Sequence, residues 1–306
     1  MILADISAVA ARRQLRRGTL TLRIGPFVVR FRTPLADVAA EIYRLYCHHP
    51  LDDGGFCDYH IAVVAPFGIR RWLRPQSLFL LDGRAPFKPL PRSQAVPVLE
   101  WGLNWCVASQ AHQYLILHAA VIERNGYAVI LPGDPGSGKS TLCAALIHRG
   151  WRLLSDELAL IDRHSGQVYG LARPVSLKNE SIDVIGRWAS DSVFSARYTD
   201  TVKGTIALLK PPAQAVARIN EPALPAWVIT PEFARGVAPT LEPNTPATTF
   251  MELAHNGFNY SIHGSSGFDA LSALVDRCSC LHFRYSRLED AVATFDSLPP
   301  PNHQWA

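Results

Sequence analysis

"ILPGDPGSGKSTLCAALIHRGWRLLSDE", Ile130 to Glu157, holds a glycine-rich loop, one lysine, a run of hydroxyls and a terminal pair of carboxylates. Gly133-Asp134-Pro135-Gly136-Ser137-Gly138-Lys139-Ser140 satisfies the phosphate-loop pattern G-x-x-x-x-G-K-[ST]. Each residue type has a physical reason. Glycines let backbone N–H groups turn inward around a phosphate with no Cβ in the way. Lys139 is a compact cation for the β- and γ-phosphates, and Ser140 offers its hydroxyl to Mg²⁺. Thr141 completes the nucleotide-binding set, and a helix starting here would aim its positive end at the phosphates. The flanks agree: "YAVILPG" reads as a strand, and "KSTLCAALIHRG" as a helix stopped by Gly150. The loop therefore predicts a nucleotide site.

The carboxylates bear on the chemistry done once a nucleotide is bound. "WRLLSDE" is an apolar strand pattern ending in Asp156-Glu157. If that strand packs beside the phosphate-loop strand, its C-terminal end lies by the phosphates, where α/β sheets place their ligands. One carboxylate there can hold Mg²⁺ and the other can accept a proton from an attacking hydroxyl. Acids so soon after Lys139 favour transfer to an acceptor over simple hydrolysis.

Outward from this segment, "LILHAAVIERNGYAVILPG" predicts a hairpin around Asn125-Gly126, the favoured pair for a type I′ turn. "VLEWGLNWCVASQAHQYL" reads as a helix with Leu99, Leu103 and Cys106 on one side. "TLTLRIGPFVVRFRT" predicts two strands around Gly25-Pro26, followed by a helix in "PLADVAAEIYRLYCHH" and short strands in "YHIAVVAP" and "SLFLLDG". The proline-rich "RAPFKPLPRSQAVP" reads as a linker. The expected organisation is an N-terminal α+β domain over 1–92, an α/β phosphate-loop domain over 93–298 and a frayed tail over 299–306.

Composition narrows the class. Hydrophobic residues make up 48% and charged residues 18% of 306 positions, an ordinary globular balance. The net charge of +4 is mild. One cluster, "ARRQLRRG" at Ala11 to Gly18, is read as a solvated arm before the first strand, so neither nucleic acid nor membrane is expected as a partner. No apolar run is long enough to span a bilayer. The N-terminus reverses the order of a secretory signal, and the six cysteines lack metal-site spacing, so a cytoplasmic location with reduced thiols is expected.

"LHAAVIERNGYAVILPGDPGSGKSTLCAALIHRGWRLLSDELALID", Leu117 to Asp162, resembles the catalytic core of the HPr kinase/phosphorylase family, itself similar to phosphoenolpyruvate carboxykinase. The shared features are a strand bearing a histidine, a hairpin, the phosphate loop, a helix ending "RG" and a strand ending in paired acids. The resemblance implies an HPr-kinase-like fold that uses ATP and Mg²⁺ to phosphorylate a serine on a protein or peptide. It implies Asp156 as general base with His118 beside it, Ser140, Asp156 and Glu157 at the metal, and homo-oligomers. Three features depart from the family: the second acid is Glu157 where the family has aspartate, its later glutamate–arginine signature has no clear equivalent, and the N-terminal region does not resemble the family's usual N-terminal domain. Read on the residues alone, His118 is a histidine at the end of a hydrophobic strand, which is more often a core residue than a catalytic one.

Further along, Arg173 and Lys178 in "ARPVSLKNESIDVI" sit in a loop-like stretch, and Lys203 stands before a strand in "TVKGTIALLKPP". These cations are candidates for substrate or phosphate contacts. "HNGFNYSIHGSSGFDAL" reads either as a loop over the site or as an ordinary connection before a helix, with Phe258 and Tyr260 as possible base-stacking groups. Two alternatives to a serine kinase stay open: a small-molecule kinase, and a nucleotide-binding sensor or adaptor whose chemistry has decayed.

Overall fold

The computed structural model describes residues 1–52, 54–69, 72–299 and 301. The expected tail thus lies outside the described residues apart from Pro299 and Pro301.

The basic cluster belongs to a packed helix, which corrects the reading of an arm. Ser7 caps α1 (Ala8–Arg17) by accepting from the Ala10 N–H at 3.2 Å, and Gly18 ends it in the left-handed conformation at φ 72°. Ala11 and Leu15 are buried while Arg12, Arg13, Arg16 and Arg17 face outward. The density of arginine hid a short helical period.

β1 (Leu20–Ile24) and β2 (Phe27–Arg32) form the expected hairpin, and α2 (Ala36–Leu45) precedes β3 (Tyr59–Val64), which runs parallel to β2. β4 (Gln76–Leu81) and β5 (Leu90–Pro91) complete a sheet ordered β1-β2-β3-β4-β5. The proline-rich stretch is only partly a linker. It contributes the edge strand β5, where a proline costs no ladder bond, and leads directly into α3 (Ala95–Gln110). α3 lies on β3 and β4 so closely that a Cβ at Gly102 would stand 2.3 Å from the Phe79 ring. The core around this sheet continues through Leu99 and Leu103 to Ile116, Leu160, Leu171 and Leu208.

Next come β6 (Tyr114–Leu117), β7 (Ala119–Arg124), β8 (Tyr127–Pro132), α4 (Lys139–Ile147) and β9 (Arg152–Ser155). They are followed by β10 (Ala159–Asp162), β11 (Val168–Tyr169), β12 (Val175–Lys178), α5 (Glu180–Trp188), β13 (Tyr198–Thr201) and β14 (Gly204–Leu209). α6 (Ala213–Ala217), β15 (Leu224–Phe233), β16 (Thr240–Pro243), α7 (Pro246–His255), α8 (Ser265–Arg277), β17 (Ser279–Tyr285) and α9 (Leu288–Asp296) follow. The result is a mixed α/β fold with several sheets. Asn125 and Gly126 both take positive φ, 56° and 86°, as the predicted I′ turn requires.

The sheet that matters for the site has the order β16-β17-β15-β8-β7-β9. The expectation that β9 would neighbour β8 is corrected: β7 stands between them, because the hairpin has already claimed that edge of β8. β9 is antiparallel to β7 and so runs in the same sense as β8. Both strands therefore end at the same edge. Near that end the β7–β9 register shifts: Val121 faces Ser155 and Ile122 faces Leu153, leaving Leu154 as an extra residue.

His49 ties this part of the chain to the first sheet. It is fully buried, with Nε2 2.9 Å from the Ala172 carbonyl, and burial pushes its pKa down to about 4. The unfolded chain then binds a proton between about pH 6.5 and 4 that the native state refuses, so the contribution of His49 to stability falls as pH drops through that window. The expected acid-side loss is about 3 kcal/mol, from about 1.4 kcal/mol per pKa unit. Urea unfolding of wild type and His49→Gln at pH 7.5 and 4.5 isolates it as the difference between their pH dependences, because the opposing contribution of Asp156, raised to about 6, is common to both. An equal slope in both proteins would remove His49 as a contributor.

Candidate functional site

β8 delivers Pro132 to the start of the glycine-rich loop, and α4 begins directly after it at Lys139. Gly133, Gly136 and Gly138 have φ 136°, 97° and 93°, values that side chains resist. At Gly138 space is closed as well, since a Cβ would stand 2.5 Å from the Tyr285 hydroxyl. The loop is pinned from outside: Phe233 N–H donates to the Ser137 carbonyl at 3.1 Å, and Tyr285 Oη donates to the Gly138 carbonyl at 3.3 Å.

The loop opens on a cleft of ≈ 1030 Å³. Asp134, Pro135, Gly136, Gly138, Lys139, Ser140 and Thr141 line it, and Asp156, Glu157, His118, Lys178 and Lys203 line it from other elements. The sequence-nominated residues thus converge, with three exceptions. Gly133 and Ser137 shape the loop without facing the cleft, and Arg173 does not reach it. Arg173 is 7% exposed and 3.1 Å from Glu100 Oε2, so its charge is turned to the helix α3 rather than to the cleft.

Lys139 is folded back on its own loop, its Nζ donating to the Gly133 carbonyl and, at 3.2 Å, to that of Asp134. Burial lowers its pKa and the charge of Asp156 opposes that shift. Asp156 follows β9 and is buried. Its Oδ2 accepts from the Ser176 N–H at 3.0 Å, and its Oδ1 has no partner. Burial, then the neighbouring Glu157 charge, raises its pKa to about 6. Glu157 turns the other way and accepts from Asn104 Nδ2.

His118 is the one residue between β6 and β7, which belong to different sheets, and this change of sheet sets it at the cleft. Its N–H donates to the Asn256 carbonyl at 2.7 Å, and its ring lies 5.8 Å from that of Phe258. Burial and Lys139 lower its pKa, so the imidazole is neutral at neutral pH. Lys178 ends β12, a strand where the sequence suggested a loop, and Lys203 lies in the turn before β14 with Nζ 5.6 Å from the Trp101 ring centre.

The stretch from His255 to Leu271 is an ordinary connection. Asn259 is buried and bonds both the Ile116 N–H and the Tyr114 carbonyl, fastening the connection to β6. Phe258 and Tyr260 do not line the cleft. Its aromatic groups are Trp188, Phe233 and Tyr285, which the sequence reading missed because they come from distant elements. Asn104 was missed too, although Glu100 and Asn104 were readable as polar residues at i, i+4 on an otherwise apolar helix.

Mg²⁺ suits this donor set. Ser140, Asp156 and Glu157 present hard oxygens, and the orphaned Oδ1 of Asp156 is an acceptor lacking a donor. Among the described residues no three His, Cys, Asp or Glu side chains gather as a metal cluster, so phosphate oxygens would have to complete the shell. No helix of the described residues is long and apolar enough to cross a membrane.

Three comparisons bear on this segment. Residues 97–176 match the family model described as SynChlorMet cassette protein ScmC. A candidate HPr kinase/phosphorylase of Fusobacterium nucleatum subsp. nucleatum is 40% identical over 55 residues, 18% of this chain and 9% of that protein's length. The Hpr(Ser) kinase/phosphatase structure from Coxiella burnetii aligns over 59% of this chain and 95% of its own at 12% identity, with a TM-score of 0.26 that is too low to establish a common fold. Over 55 residues the chain is thus similar to a member of the HPr kinase/phosphorylase family, of whose length it spans less than a tenth.

Proposed function

We propose that the protein is a phosphotransferase that moves the γ-phosphoryl group of ATP to a serine hydroxyl on a protein or peptide, with residues 93–298 carrying the chemistry. The observation that carries this reading is the convergence of the phosphate loop and the buried Asp156 on one cleft. Backbone N–H groups of the loop and the α4 N-terminus would hold the β- and γ-phosphates. Lys139 would leave its own loop carbonyls to neutralise them. Ser140, Asp156 and Glu157 would hold Mg²⁺, which supplies charge neutralisation on the phosphates.

Asp156 is suited to take the acceptor's proton, because it is buried at the cleft beside the glycine-rich loop with its Oδ1 unbonded, and burial makes it more basic than an exposed carboxylate. The acceptor oxygen forms its bond to the γ-phosphorus, the bond from that phosphorus to the β–γ bridging oxygen breaks, and ADP leaves. Neutral His118 can donate or accept a hydrogen bond beside Asp156, and Lys178 and Lys203 offer cations to the developing equatorial charge.

The test is transfer of label from γ-labelled ATP with Mg²⁺ and lysate of the host, beside Lys139→Ala. A labelled protein or peptide band is expected, weakened at least ~10²-fold in Lys139→Ala, as for loss of one group that stabilises transition-state charge. Label on a metabolite instead would move the acceptor to a small molecule. Binding of ATP with no labelled product would refute the transferase.

A further inference from the structure

Helix α3 runs beneath both the first sheet and the cleft, and its two faces differ. Leu99, Gly102, Leu103 and Cys106 are buried, with Gly102 against Phe79 of β4. Glu100, Trp101 and Asn104 share the other side and line a small cavity next to the acidic pair. Asn104 Nδ2 donates to Glu157 Oε2, Glu100 pairs with Arg173, and Trp101 lies under Lys203.

Below the carboxylates is a cavity of ≈ 20 Å³ lined by Glu100, Asn104, Asp156, Glu157, Arg173 and Ser176, among others. Its volume and polar lining suit one ordered water. Arg173 Nε and Nη1 are buried without a partner and could donate to it. Glu100 is itself fixed from the first sheet's side, accepting from Tyr46 Oη at 2.7 Å. Tyr46, at the end of α2, and Arg173 thus fix Glu100 from two sides, four residues before Asn104 on the same helix.

We propose that Asn104 is a positioning residue of the phosphoryl-transfer site, holding Glu157 by one carboxylate oxygen so that the other stays aimed at the metal and phosphates. The proposal rests on the phosphotransferase reading above. A free glutamate carries several rotamers, whereas one tethered at Oε2 to a helix locked against a sheet keeps few. Outer partners of metal-binding carboxylates act in this way, and their loss generally costs about 10- to 100-fold in metal affinity or activity.

The experiment uses the full chain and Asn104→Ala, with Mn²⁺ as the spectroscopic probe. Mn²⁺ binding is titrated by electron paramagnetic resonance in the presence of a non-hydrolysable ATP analogue, and transfer is followed in parallel. Asn104→Ala should weaken Mn²⁺ binding and lower kcat, each by about 10- to 100-fold, with little change in KM for ATP. Asn104→Asp, which sets a like charge against Glu157, should be worse than Asn104→Ala. Unchanged Mn²⁺ affinity and kcat in Asn104→Ala would overturn the proposal. So would equal losses in KM and kcat together with a lowered melting temperature, since they would mark a structural role. Failure of the wild-type protein itself to bind Mn²⁺ with the analogue would instead count against the phosphotransferase reading.

Discussion

Asp156→Asn should cut transfer by orders of magnitude and stabilise the protein in the same step. The residue is 7% exposed, has one partner in the Ser176 N–H, and carries an unpaired Oδ1, so its charge is held at a cost in the metal-free state. Its pKa, raised from 3.8 to about 6, sets the sign of the effect. A native pKa above the unfolded value gives stability that is present below pH 3.8 and lost as pH rises through 6. At pH 7.5 the wild-type protein lacks that contribution, by about 2–3 kcal/mol at about 1.4 kcal/mol per unit. Asparagine keeps an acceptor for Ser176 and sheds the charge. Thermal melts without metal or nucleotide should show a higher Tm at pH 7.5 and convergence with wild type near pH 4. Transfer should fall about 10²- to 10⁴-fold with the loss of a general base. A lower Tm would contradict the buried-charge account, and undiminished transfer would contradict the assignment of the base.

The second large effect lies at the other end of β9. Arg152 is 6% exposed and pairs through Nε with Glu123 of β7, itself 1% exposed. Arg152 Nη1 also donates to the carbonyls of Arg218 and Glu221 at 2.8 and 2.9 Å. Glu123 Oε1 accepts from the Gly126 N–H at 2.6 Å, so this carboxylate braces the hairpin turn as well. Arg152→Met strands Glu123 in the interior with only Arg218, 3.6 Å away and partly exposed, in compensation. The expected loss is about 3–5 kcal/mol, the cost of breaking a buried pair. Arg152→Met with Glu123→Leu should recover a large part of it, because the stranded charge is gone. Denaturant unfolding of the single and double variants decides between this and a loss under about 1 kcal/mol, which would place the pair with exposed ion pairs.

Local features were legible in the sequence. The strand and helix on either side of the glycine-rich loop, the Asn125-Gly126 turn and α3 are each specified within a few residues by glycine placement or apolar spacing, and the structure has each of them. The acids of Asp156-Glu157 were legible for the same reason. Long-range relations were not. Nothing near Arg152-Leu153 says that β7 will stand between β9 and β8, because strand order is settled by which edge an earlier hairpin has occupied. Arg173 read as a loop cation because its partner Glu100 is 73 residues away. α1 was obscured by its arginines, whose outward face swamps two buried positions.

The extra residue at Leu154 decides which face the last residue of β9 presents. Side chains along a strand alternate between faces, so one residue more or less exchanges the two sides. With the insertion in place, Ser155 stands opposite Val121, and the bend that leaves it sends Asp156 to Ser176 and Glu157 to Asn104. Removing one residue upstream would turn Ser155 to the other face and with it the root of the bend that carries both acids. The address of the acidic pair is thus written as a count of residues in the strand before it.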